Sequence, residues 1–205
     1  MLRLTTLRGV IVAVAALALV AGCTASGKGT AKPVGGVFAP TGAPVTLTQI
    51  QGAKGDKLPL GDGLSIVMPA GSVSKPMKSK VEGNQFILYL MPDADTEGFP
   101  QFQLIWGKSS VGALEASWTD ESIMGVNKSV SHYVRSSATW PGARVAVVAT
   151  WTQEDARDSG LVVVDALGLW VDMPDGSKGF ALAMAPKGQL DGSTALDALR
   201  SLTIG

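Results

Sequence analysis

The chain has 205 residues, 46% of them hydrophobic, with 17 basic and 17 acidic side chains and a formal charge of zero. That balance disfavours nucleic-acid binding by counterion release and a polybasic membrane patch. A single cysteine, Cys23, and a single histidine, His132, leave no internal disulfide and no zinc or iron–sulfur quartet built on thiolates and imidazoles.

Arg3 and Arg8 precede an apolar run from Val10 to Leu19, and small residues then lead into Cys23. Charged, apolar and small residues in that order make a secretory signal. The run over 9–22 is shorter than the roughly 20 residues a spanning helix needs. Arg3 and Arg8 are not adjacent, so the twin-arginine export signal is absent. The stretch Leu19-Val20-Ala21-Gly22-Cys23 resembles the lipobox of bacterial lipoproteins. The resemblance implies cleavage between Gly22 and Cys23, a diacylglyceryl group on the Cys23 thiol and an acyl chain (palmitate) on the new amino terminus. It also implies anchoring on the extracytoplasmic face of the cell membrane. At about 0.8 kcal/mol per buried methylene such an anchor holds by itself. The same small residues suit ordinary signal peptidase, which leaves a secreted, unlipidated chain as the alternative.

Residues 24–44 are rich in Gly, Ser, Thr, Ala and Pro, with Phe38 the one large apolar side chain. This composition predicts a flexible tether. The domain plan is therefore a signal peptide over 1–22, a lipidated tether over 23–44 and a single folded domain over 45–205.

Strands dominate the expected domain. Leu64–Met68 stops at Pro69, residues 85–91 stop at Pro92, and 102–106 end at Gly107. Both parities of 86–91 are apolar, which predicts a strand covered on both faces. Helical spacing of Val111, Leu114 and Trp118 predicts a helix over 110–124. A strand follows over 143–151, with Val145, Val147, Ala149 and Trp151 on one parity, then a polar turn over 153–160. Residues 161–173 read as a long strand with a bulge or bend at Gly168. The turn residues Pro174-Asp175-Gly176-Ser177 return the chain into 179–185. There Phe180, Leu182 and Met184 alternate with Gly179, Ala181, Ala183 and Ala185. The small-residue face invites close packing of a helix. That helix spans 193–202, with Ser193 or Asp191 as cap, Leu196, Leu199 and Leu202 along one side, and Asp197 before Arg200.

This order predicts an α+β fold, an antiparallel sheet flanked by helices. It resembles the Mog1/PsbP-like fold, including actinobacterial lipoproteins built on it, through three pieces. They are Gly63-Leu64-Ser65-Ile66-Val67-Met68-Pro69, the strand over 142–151, and the closing Ala195-Leu196-Asp197-Ala198-Leu199-Arg200-Ser201-Leu202-Thr203-Ile204. Where members often carry a Trp soon after the first Pro, this chain has Ala70-Gly71-Ser72. The resemblance implies an α/β/α sandwich and a family mostly of non-enzymatic binding and assembly modules.

Candidate chemistry is sparse. Asp93-Ala94-Asp95-Thr96-Glu97-Gly98 imitates the opening of a calcium loop, but its twelfth position is Leu104, so a solvated turn is the simpler reading. His132 shares parity with Val130 and Val134, which predicts a partly buried strand histidine; a hydrolase using it is the weaker alternative. Asp165 lies on the apolar parity of Leu161, Val163, Leu167 and Leu169. It needs a partner such as Arg135 or Arg144, or a bulge that turns it outward. Trp140, Trp151 and Trp170 are candidates for a ligand or partner surface, against a plain core role shared with Trp106 and Trp118. The resulting expectation is a membrane-anchored envelope protein with a non-catalytic binding or accessory role and no cofactor or metal. Its partners are the membrane, through Cys23, and an envelope protein or apolar ligand. A carrier of lipids or other apolar ligands in a cavity is the alternative.

Overall fold

The computed structural model describes residues 36–205, apart from 62, 76, 78, 80, 81 and 158. The expected leader and Cys23, with the tether as far as residue 35, lie outside the described residues.

The protein is mostly β. The chain opens with β1 (Gly42–Thr46), β2 (Asp56–Gly61), β3 (Leu64–Met68), β4 (Val73–Lys75), β5 (Asn84–Leu90) and β6 (Gln101–Gly107). Helix α1 (Ala113–Met124) precedes β7 (Val130–Thr139), β8 (Val145–Arg157), β9 (Gly160–Asp172) and β10 (Lys178–Pro186). Helix α2 (Thr194–Arg200) and the short β11 (Thr203–Ile204) close the chain. Eight strands form one sheet in the order β1-β7-β8-β9-β10-β6-β5-β4, and a second sheet has the order β11-β3-β2. All pairings are antiparallel except β1 with β7, which makes the large sheet mixed.

Strand alternation sorts the apolar side chains onto two faces. Val147, Ala149, Trp151, Ala166, Trp170, Leu182 and Met184 pack beneath α1 with Phe99, Ala113 and Met124. The opposite set, including Val148, Leu169, Val171, Ala181, Ala183 and Phe102, packs under α2 and the small sheet, through Leu64, Ile66, Leu196 and Leu199. Helix α2 sits on the alanine side of β10 as its sequence predicts, and Leu199 is fully buried there. The Ser193 hydroxyl caps it by accepting from the Leu196 N–H at 3.1 Å.

The expected helix-flanked α/β/α sandwich is therefore corrected. One face of the large sheet carries α1, but the other is closed by seven-residue α2 together with β2, β3 and β11. Segments such as 56–61, too short and polar to announce themselves, supply a second sheet where a helical layer was expected. Several boundaries shift as well. The expected polar turn over 153–160 is the end of a hairpin: Gln153 to Arg157 continue the ladder with Val164 to Gly160. Arg157 is held there by Asp155 and lies 4.8 Å over the Phe99 ring. Strand β5 is second from the edge and only half-buried along most of its length, not covered on both faces. Strand β9 runs through Gly168 in unbroken register with both neighbours, without a bulge. Gly168 is needed for packing instead. An added Cβ would stand 2.9 Å from the Trp170 ring, which lies against Phe180 with centroids 4.6 Å apart.

Candidate functional site

The most chemically varied surface is the part of the sheet that α2 and the small sheet leave open. Here Leu161 and Val163 are exposed and Thr150 faces solvent. A cleft of about 280 Å³ is lined by His132, Thr150, Thr152, Asp165, Gly188 and Asp191, among others. His132 reaches it through a β-bulge. Ser131 pairs with Thr152 and Val134 with Thr150, so His132 and Tyr133 together oppose Trp151. His132 adopts φ of 55°, a left-handed conformation uncommon outside glycine. The bulge turns Tyr133 onto the α1 face, where it stacks on Trp151 at 5.5 Å, and sends His132 to the other side. The expected half-buried histidine on Val130's face is thus exposed and on the cleft side. The sequence signal was the break in alternation between Val130 and Tyr133.

Asp165 is neither bulged outward nor paired with an arginine. Its Oδ1 accepts from the Thr152 hydroxyl at 2.7 Å and its Oδ2 from the Gly188 N–H at 2.7 Å. Both oxygens are therefore occupied by neutral donors that hold the loop after β10 against β9. His132 Nδ1 lies 3.2 Å from Ser131 Oγ, its immediate neighbour. Nothing in the sequence announced that His132 and Asp165 would share a cleft, because β8 intervenes between their strands.

Under α1 lies a buried polar network. Arg135, 1% exposed, has Nη1 donating to the Phe38 and Leu114 carbonyls and to Ser117 Oγ, and Nη2 donating to the Ala39 carbonyl. Its Nε stands 3.0 Å from Glu121. Beside it the Tyr133 hydroxyl donates to Asp120 Oδ2 at 2.9 Å. Burial raises the Asp120 carboxyl to about 6, against the lowering effect of that hydrogen bond. Burial first, and the adjacent Asp120 charge second, push the Tyr133 phenol upward, so it stays a donor. The domain's contacts therefore include Phe38 and Ala39, ahead of the expected domain start at Val45.

The three candidate tryptophans form no common surface. Trp140 is 2% exposed and belongs to the α2 face, while Trp151 and Trp170 are buried beneath α1. Trp151 Nε1 donates to Gln153 Oε1 at 2.8 Å. Trp140 Nε1 has no hydrogen-bond partner, and its residue lines a second cleft of about 430 Å³ with Ala39, Pro40, Leu114 and Arg144. The exposed tryptophan is Trp118.

The calcium-like stretch divides its carboxylates. Asp95 Oδ1 accepts from the Glu97 and Phe99 N–H groups, and Asp93 Oδ1 accepts from the Thr194 hydroxyl. Among the described residues no group of three or more His, Cys, Asp or Glu could hold a metal ion. Among the same residues no helix is long and apolar enough to cross a membrane.

No family model matches the chain, so the Mog1/PsbP-like resemblance gains no support there, and no curated protein matches it either. Among solved structures it is similar to LpqN, involved in cell envelope biogenesis of Mycobacterium tuberculosis. Identity is 11% and the TM-score 0.42, over 78% of this chain and 88% of that one. It is also similar to a Bacteroides thetaiotaomicron VPI-5482 protein, at 14% identity and a TM-score of 0.39 over 75% of this chain. In that second likeness the match spans about half of the other protein, 49% of its length.

Proposed function

We infer that this protein is a lipid-anchored component on the extracytoplasmic face of a cell membrane, with a non-catalytic binding or accessory role in the envelope. The observation that carries this reading is Arg3, Arg8, the apolar run and Val20-Ala21-Gly22-Cys23, joined by a short Gly- and Pro-rich stretch to a separate β domain. The His132–Asp165 cleft is its site for a polar ligand or a partner's side chains. Binding is favoured over catalysis by the hydrogen bonding. Asp165 accepts from Thr152 and Gly188 while His132 Nδ1 meets Ser131 Oγ, so Asp165 does not orient His132 in this arrangement.

Labelling cells with an alkynyl fatty acid tests the anchor. The wild-type chain takes up label and sediments with membranes, and Cys23→Ala abolishes both. A wild-type chain that stays unlabelled and accumulates in the medium overturns the reading. Pull-down and native mass spectrometry of solubilised protein test the role. A reproducible partner lost on His132→Asn supports the cleft, since asparagine tolerates the same positive φ.

Two rivals have one observation each. The cleft of about 430 Å³ beside Trp140, which has room for a ligand next to an unpaired indole donor, favours a carrier, and a co-purifying lipid would select it. The Ser131–His132 contact favours a hydrolase, and ester or amide turnover abolished by His132→Asn would select that.

A further inference from the structure

Helix α1 buries polar side chains beside apolar ones and leaves apolar side chains exposed. Its buried positions are Ala113, Ser117, Asp120 and Met124. Trp118 at 36% and Ile123 at 40% are exposed, as is Val126 just past the helix at 82%. The inward polar groups are engaged: Ser117 and Glu121 with Arg135, Asp120 with Tyr133. Outward hydroxyls are satisfied within the helix, Thr119 donating to the Glu115 carbonyl at 3.0 Å and Ser122 to that of Trp118 at 2.9 Å. These donors do not depend on water. Glu115 is the one fully exposed carboxylate of the helix.

The chain leaves the described domain on this same surface. The Phe38 ring meets Trp118 edge-on with centroids 5.2 Å apart, and Arg135 binds the Phe38 and Ala39 carbonyls. Val37, the next residue outward, is 79% exposed. About 15 residues separate Phe38 from Cys23. At 3.3–3.6 Å per residue they span at most roughly 50 Å. A lipid on Cys23 therefore confines the Phe38–Trp118 surface to within that distance of the bilayer.

We propose that the surface where the chain enters the domain, formed by Trp118 of α1 with Phe38 and Val37, docks onto the bilayer that holds the acyl chains of Cys23. This rests on the lipid-anchored reading above. The fit is to the interfacial zone of neutral headgroups, where tryptophan partitions with its ring among the upper methylenes and its N–H in water. A basic patch for anionic lipid is missing from the helix, which has no Lys or Arg. The tether supplies the local concentration that a patch of this size lacks by itself. Docking would then fix which side of the domain faces outward. The β7 bulge puts the His132 cleft on the opposite face of the sheet from α1, so that cleft would point away from the membrane.

The acylated full chain, reconstituted into phosphatidylcholine vesicles with and without brominated acyl chains, provides the test. Trp106, Trp140, Trp151 and Trp170 are each 7% exposed or less, so contact quenching by bromine reports on Trp118. Brominated vesicles should quench fluorescence relative to plain ones, and Trp118→Phe should abolish that difference. Val37→Ser, at a side chain 79% exposed, should at least halve it while leaving the melting curve unchanged. Protein that floats with the vesicles yet is unquenched removes the docking and leaves the anchor intact. A chain that carries no acyl group and does not float removes both. Shielding of Trp118 from acrylamide in native membranes, without bromine quenching in vesicles, overturns the lipid assignment in favour of a partner protein.

Discussion

Arg135 holds together parts of the chain that are distant in sequence. Its guanidinium, sealed from solvent, joins Phe38 and Ala39 to Leu114, Ser117 and Glu121. Removing it leaves three carbonyls short of a buried donor and Glu121 without its ion-pair partner. Arg135→Ala is expected to cost about 3–5 kcal/mol, measured by urea denaturation, and to open the chain near Phe38 to limited proteolysis. Asp120 sets a pH dependence next door. Its carboxyl is raised from 3.8 to about 6 by burial, so between those values the folded state binds more protons than the unfolded one. Stability therefore falls as pH rises from about 4 to about 6. Asp120→Asn should flatten that slope and raise stability at pH 7 by about 1–3 kcal/mol, seen in denaturation curves collected across the range. Gly168 is a third sensitive point. Gly168→Ala forces Trp170 and Phe180 apart and should cost about 1–3 kcal/mol, with a changed near-ultraviolet circular dichroism spectrum.

At the scale of elements the two helices contrast. Helix α2 follows ordinary rules: a serine cap, an acidic first turn, a basic last turn and leucines that reach the core. Leu199→Asp would place an unpaired charge at a fully buried site and is expected to cost several kcal/mol, or to prevent folding, as judged by soluble yield and thermal melts. Helix α1 breaks those rules. It has no side-chain cap of its own; Asp172, from β9, accepts the Ala113 N–H at 2.8 Å instead. Its apolar spacing suggests that Val111, Leu114 and Trp118 point inward, yet Ser117 and Asp120 are buried because β7 offers Arg135 and Tyr133 as partners. Strand β7 likewise cannot be read residue by residue. Its register depends on a bulge that turns His132 to the cleft side of the sheet, and a bulge is set by the neighbouring strand.

For the whole molecule the decisive contact is β1 on β7, the one parallel pairing among the described residues and an edge of the large sheet. Deleting residues 36–46 would expose the β7 edge and strip Arg135 of two carbonyl partners. The melting temperature should drop by about 10 °C, at the 2–4 °C per kcal/mol expected for a domain of this size. A variant lacking those residues that melts like the full chain would show that β1 merely leans on the domain. By itself the sequence determined what depends on local order. It predicted the main strands from alternation and the place of α2 from the alanines of β10, while the expected leader and Cys23 lie outside the described residues. Only the tertiary structure decided the rest. Short polar segments became a second sheet because a hydrophobic face needed cover, and Trp106, Trp140, Trp151 and Trp170 are core because strand neighbours, invisible in one chain of letters, close over them. Helix α1 buries Ser117 and Asp120 beside Ala113 and Met124 because Arg135 and Tyr133 on a distant strand satisfy them, and hydrogen bonds between residues far apart in sequence leave no periodicity to read.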